Sequence, residues 1–269
     1  MTLPINALLA IARGAARSAE VPILELFHHV AFERKGDGTE VTEADKTAER
    51  IIREQLGAAH PEASILGEEE GGSRAVNRSG DTWIIDPIDG TRSFITGNPL
   101  FGTLIALLRD GEPVLGVVHM PALGETMYAT KGGGCWIARE NREPVRCFVR
   151  ETPIDDAYVG LTHPLGTALH PREGVPDWRI DRLLEAAGGD RWGGDCYAHA
   201  QVARGGLQVA IDPVMEPWDI AALVPCIREA GGWVSDMRGE TTDVTYSGSL
   251  LTAASAALAE QALTLLTPA

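Results

Sequence analysis

Two aspartates, Asp86 and Asp89, stand three residues apart in the string Trp83-Ile-Ile-Asp-Pro-Ile-Asp-Gly-Thr91. A strand should end at Asp86, because Pro87 fixes one backbone angle and Asp89-Gly90 supplies a turn. Around such a turn both carboxylates can point to one spot. Gly90 and Thr91 then offer backbone N–H groups in an arrangement suited to a phosphate. An isolated Asp-Gly pair is usually an ordinary turn, but the nine-residue string is far more specific.

Three further acidic segments could join this pair. In Leu66-Gly-Glu-Glu-Glu70 the acids follow a short strand-like run, Ser64-Ile-Leu66, which can bring one of them beside Asp86. Taken alone, three adjacent acids form a solvated loop. In Pro217-Trp-Asp219 the aspartate sits at a helix start. Its plain role is an N-cap or dipole partner, worth about 1 kcal/mol. In Val41-Thr-Glu-Ala-Asp45, Thr42 and Asp45 fit a capping box. If these acids met in one place, their like charges would cost several kcal/mol. Hard divalent cations relieve that conflict, since carboxylate and carbonyl oxygens suit magnesium.

The elements that must position these residues are legible in outline. Leu8, Ile11, Ala12 and Ala15 recur at helical spacing from Leu3 to Ala19. Pro22 is expected to interrupt, with a second helical stretch through Phe32. Lys35-Gly-Asp-Gly-Thr39 is turn chemistry. A helix opens at Thr42, with Ala44, Ala48, Ile51, Ile52 and Leu56 as its buried stripe. Strands are expected over Thr82–Ile85, Thr103–Leu108, Val114–Met120 and Thr126–Ala129. Their short Gly- and Pro-containing turns suggest an antiparallel meander. Beyond about residue 145 strands and helices alternate: strands over Tyr158–Leu161 and Leu207–Ile211, helices over Asp195–Arg204 and Asp219–Ala230. Pro225 predicts a kink in the last of these. The division expected is 1–145, helices plus antiparallel sheet with most metal ligands, and 146–269, a mixed α/β half with Asp219 and substrate-side residues.

Composition limits the partners. The 269 residues carry a net charge of −15 and 44% hydrophobic residues, which implies a buried core. A surface this acidic repels nucleic acid and anionic lipid. A small anionic substrate remains compatible if metal ions neutralise the site. Cys135, Cys147, Cys196 and Cys226 are far apart and lack CxxC pairing, which suits reduced thiols in the cytoplasm. Met1 to Ala19 reads as an amphipathic helix rather than a signal peptide, and no stretch is apolar and long enough to span a bilayer.

The four segments, in this order and over nearly the whole chain, resemble the inositol-monophosphatase superfamily. Asp-Pro-Ile-Asp-Gly-Thr is its most specific motif. The resemblance implies a five-layered αβαβα fold, usually a homodimer, that uses two or three Mg2+ ions and is inhibited by lithium. It implies Glu68, Asp86, Asp89 and Asp219 as metal ligands, with the Ile88 carbonyl. It gives Asp45 and Thr91 as the pair that orients and activates the attacking water, with Glu68 in the same catalytic set. Gly90 and Thr91 match the phosphate-binding amides, and Glu69 is a supporting acid behind the ligands. The implied chemistry is metal-assisted, in-line hydrolysis of a small metabolite phosphate without a covalent phospho-enzyme.

Two stretches are more similar to the histidinol-phosphatase branch than to inositol phosphatases: Gly90 to Leu107, and Arg191-Trp-Gly-Gly-Asp-Cys-Tyr-Ala198. After Gly194 stands Asp195, and Asp212 precedes Asp219 by seven residues. Acids here suit the ammonium and imidazole of histidinol phosphate, whereas inositol phosphate bears only hydroxyls. Asp195 could instead cap its helix, and inositol phosphatases use an acid at the place of Asp212 for a ring hydroxyl. Ile211 to Pro217 and Leu161 to Asp177 depart from the branch pattern. The expected reaction is L-histidinol phosphate to L-histidinol, in histidine biosynthesis. The alternatives are an inositol-1-monophosphatase, then a bisphosphate nucleotidase or a non-catalytic member.

Overall fold

The computed structural model describes residues 3–28, 31–36, 40–72, 79–163 and 174–268. Helix α1 (Ile5–Leu26) buries Leu8, Ala12, Ala15, Ala16, Ala19 and Ile23 along one face. Pro22 does not interrupt it, contrary to the sequence expectation. A proline deprives the carbonyl four residues earlier of its donor. That residue, Ser18, is exposed, so water can replace the missing donor. Ala19 and Ile23 meanwhile hold the last turn against the core. Phe32, expected in a second helix, opens strand β1 (Phe32–Arg34), which pairs antiparallel with β2 (Glu40–Thr42). Part of the expected turn at Lys35–Thr39 lies outside the described residues.

Helix α2 (Glu43–Ala59) begins with the expected box. The Thr42 amide donates to Asp45 Oδ2 (2.8 Å), and Thr42 Oγ1 accepts from the Ala44 amide (3.1 Å). Strand β3 (Ser64–Gly67) lies parallel to β4 (Asp81–Asp89). The short helix α3 (Thr91–Thr96) follows. The antiparallel meander continues through β5 (Gly102–Arg109), β6 (Glu112–Met120), β7 (Glu125–Thr130), β8 (Gly134–Arg139) and β9 (Val145–Arg146). Chain order and sheet order coincide, and from β5 onward short turns dictate this.

The second sheet is mixed. It comprises β10 (Tyr158–Leu161), β11 (Gly189–Trp192), β12 (Val209–Asp212), β13 (Trp233–Ser235) and β14 (Leu250–Ala253) in the order β11-β10-β12-β14-β13. Its helices are α4 (Ile180–Ala186), α5 (Asp195–Ala203), α6 (Pro217–Ile220), α7 (Leu223–Glu229) and α8 (Ala256–Leu266). The helix expected over Asp219–Ala230 is two helices, α6 and α7. Their junction falls at Ala221–Ala222. Pro225 has no N–H for the Ala221 carbonyl and crowds it, so the chain breaks there rather than kinking.

Three apolar cores separate the layers. One lies between α1, α2 and the seven-stranded sheet, with Trp83, Ile85 and Phe101. A second lies between the two sheets, filled by α5 and α7. The third joins the smaller sheet to α4 and α8. The order of layers is therefore αβαβα. No helix among the described residues is long and apolar enough to cross a membrane.

Candidate active site

Strand β4 is straight to Asp86, which pairs with Leu104, and resumes pairing at Asp89 with Gly102. Between them the ladder bulges, as Pro87 requires. Thr103 Oγ1 donates to the Pro87 carbonyl (2.8 Å), and the Ile88 amide donates to Asp86 Oδ1 (3.0 Å). The bulge thus turns Asp89 toward Asp86. Gly90 follows with φ 83°, a left-handed conformation that favours glycine, and a Cβ there would meet the Asp195 carboxylate.

Asp86, Asp89 and Asp219 each offer an oxygen within 4.8 Å of the others. Asp89 Oδ2 accepts from the Cys196 amide (2.6 Å), and Asp219 Oδ2 accepts from the Glu216 amide (2.7 Å). No lysine or arginine pairs with any of the three among the described residues. Burial, then the charge of Glu68, pushes Asp86 well above the usual carboxylate range. Burial also raises Asp89, with Asp195 and Asp219 adding to it. Asp219 is pushed up to about 7, mainly by burial. Three crowded carboxylates without a protein cation, all presenting hard oxygens, fit a divalent cation such as magnesium.

Glu68 stands at the margin of this group. Its amide donates to the Ile85 carbonyl (3.2 Å), which fixes it at the end of β3. Its carboxylate is paired with Lys35 Nζ (2.9 Å), and Lys35 also pairs with Glu69 (2.7 Å). Lys35 was invisible in the sequence, where it sat in a turn. Glu49 was missed as well. Fully buried, it accepts from the amides of Glu69 (2.8 Å) and Glu70 (3.0 Å) and from Arg53 Nε (2.7 Å). It therefore shapes the acidic loop from beneath. Its one legible sign was the i, i+4 spacing to Arg53.

Asp45 serves two directions at once. Oδ2 belongs to the capping box, and Oδ1 lies 3.4 Å from Thr91 Oγ1. The Thr91 hydroxyl has a closer acceptor in the Ile88 carbonyl (3.1 Å). Burial pushes Asp45 up to about 6 against the hydrogen bonds from Thr42.

The two specificity candidates differ. Asp195 does not cap α5: residue 194 is the N-cap, and the first available amide, of Cys196, is taken by Asp89. Instead Asp195 adopts φ 44° and accepts from Ser93 Oγ (2.7 Å), close behind Gly90. Burial pushes it up to about 6. Gly194 lies against Ala198, where a Cβ would collide. Asp212 is engaged internally, by the Thr162 amide and hydroxyl (3.2 and 3.0 Å) and by His199 Nε2 (3.2 Å). Much of the poorly matching stretch from Leu161 to Asp177 lies outside the described residues.

The inositol monophosphatase family model matches residues 5–267. The chain belongs to this family of phosphatases, whose members act on small phosphorylated substrates and use metal ions. It is 42% identical to a histidinol-phosphatase from Chlorobaculum parvum over 80% of this chain and 79% of that relative. It is 35% identical to an inositol-1-monophosphatase from Mesorhizobium japonicum, over 92% and 90%. An inositol monophosphatase structure from Zymomonas mobilis superposes with a TM-score of 0.82 at 31% identity, covering 98% of this chain and 99% of that one.

Proposed function

We propose that this protein is a magnesium-dependent phosphomonoesterase that hydrolyses L-histidinol phosphate to L-histidinol in the cytoplasm, as a step of histidine biosynthesis. The convergence of Asp86, Asp89 and Asp219 carries the metal-dependent part of this reading. These residues, with Glu68 and the Ile88 carbonyl, would hold two or three Mg2+ ions. Such ions would supply a stronger nucleophile from water and charge neutralisation for the phosphate and leaving oxygen. The remaining roles belong to the chain. The first-turn amides of α3, beginning at Gly90 and Thr91, have no helical acceptor and would donate to the phosphate oxygens. Asp45 and Thr91 orient the attacking water and take its proton at Asp45 Oδ1. Glu69 holds Lys35 and supports Glu68 from behind. Homodimerisation follows the family habit.

The substrate assignment rests on Asp195. A helix-starting aspartate that leaves its own helix uncapped, adopts a left-handed backbone and stands behind Gly90 is suited to a cationic leaving group. Asp212, held by Thr162 and His199, acts through its charge, which raises Asp195 and adds to the negative field that would favour an ammonium or imidazolium. The histidinol-phosphatase relative adds support. The inositol-1-monophosphatase relative favours the second reading, inositol 1-phosphate. Phosphate release from both esters, with and without magnesium, separates the two: the proposal expects the higher kcat/KM with histidinol phosphate, and a preference for inositol phosphate would refute it.

A further inference from the structure

A second cleft of about 380 Å³ lies between α1 and the outer strands β7 and β8, three strands along the sheet from Asp86. Four arginines line it: Arg13 and Arg17, one helical turn apart on α1, and Arg139 and Arg142 at the end of β8. Only two acids, Glu20 and Glu140, share the lining, in a protein of net charge −15. Glu20 pairs with His119 Nε2 (3.1 Å), and its carboxylate also feels the Arg17 guanidinium. Burial drives His119 down to about 4, so it adds no positive charge of its own. Arg139 shares Glu125 with Arg204, so one carboxylate faces two guanidinium groups. Arg13 lies 4.1 Å over the Tyr128 ring, and its Nε is buried without a hydrogen-bond acceptor. Among the described residues, neither Arg17 nor Arg142 has an ion pair.

A buried N–H donor without an acceptor costs about 1–3 kcal/mol, more when charged. Four arginines gathered in one concavity, with only two acids in its lining, repel each other. An anion of suitable size removes both costs, and guanidinium forks match phosphate oxygens. Arginines on both walls call for more than one negative charge. We propose that this cleft is a second anion site, distinct from the catalytic carboxylates, that takes a small molecule bearing a diphosphate or two phosphate groups.

Inorganic pyrophosphate is the probe. Calorimetric titration of the full-length protein at low ionic strength should show a saturable cleft site both with magnesium and after chelation. The catalytic acids repel the probe once metal is removed, so the chelated arm isolates the cleft. Arg17→Gln with Arg142→Gln should weaken that site by about tenfold or more. Both side chains are exposed, so the variant should keep the wild-type melting temperature. Lys131→Gln with Arg179→Gln removes the same charge elsewhere and should leave binding intact. Arg13→Gln should weaken it as well. Absence of saturable binding in the chelated protein would overturn the proposal, as would equal weakening by the control pair.

Discussion

Asp45 decides between two roles that local sequence could not separate, and its two oxygens hold both. Asparagine keeps an oxygen for the Thr42 amide but cannot accept a proton. Asp45→Asn should therefore lower kcat at least about a hundredfold with little change in KM, while the melting transition moves by less than about 1 kcal/mol. Steady-state kinetics beside a thermal melt checks this; an unchanged kcat would reduce Asp45 to a cap. Asp195→Asn probes the substrate. Asparagine tolerates the left-handed backbone, so the loop should hold. The loss of charge should raise KM for histidinol phosphate by about tenfold and leave glycerol 2-phosphate unaffected. Equal effects on both esters would remove Asp195 from substrate recognition. Lys35 and Glu49 mark where residue-scale reading failed. Both act through side chains brought from distant segments, and neither sits in a motif with a chemical signature.

At the scale of elements, what was legible was local. The capping box at Thr42–Asp45, the strand-ending Asp-Pro-Ile-Asp-Gly turn and the meander joined by short turns each declare themselves within a few residues. The prolines did not. Pro22 is carried by the packing of Ala19 and Ile23, a tertiary effect, whereas Pro225 acts locally but four residues upstream of itself. The Asp212–His199–Thr162 group joins residues up to 50 apart, which no spacing rule reveals. The acidic loop shows how an element supports the site. Glu49 holds two loop amides and Arg53, and a Cβ at Gly67 would collide with it. Glu49→Ala leaves Arg53 and these amides without their buried partner. It should cost about 3 kcal/mol of stability and weaken magnesium activation through displacement of Glu68. Denaturant unfolding and a magnesium titration of activity measure the two effects; a wild-type titration would detach the loop from the site.

For the molecule as a whole, the two sheets and their helices bring Asp86 and Asp89 from one sheet against Asp219 from α6. This collects charge that the folded chain holds at a cost. Asp219 and Glu69 are raised to about 7, chiefly by burial, and Asp45 and Asp195 to about 6. Each folded carboxyl binds its proton more tightly than the unfolded chain does. The metal-free protein thus has their full contribution below about pH 4 and loses it as pH rises through about 6 to 7. His119 opposes this, because its folded value is depressed to about 4; its contribution is present above about 6.5 and lost as pH falls toward 4. Of these shifted groups, the carboxyls are the ones that set the trend above about pH 6.5. Chelated protein should therefore melt roughly 5 °C lower at pH 7.5 than at pH 6.5, and magnesium should close that gap. Scanning calorimetry in the two states tests it; a metal-free melting temperature that climbs over this interval would contradict the buried acidic cluster.

The most direct test of the central claim is phosphate release from histidinol phosphate by wild type and Asp86→Asn, in magnesium and after exhaustive chelation. Wild type should turn over only with magnesium. Asp86→Asn should lose at least about a hundredfold in kcat/KM, since it removes charge from a shared ligand while keeping shape. Full activity in chelator, or an undiminished Asp86→Asn enzyme, would contradict the account.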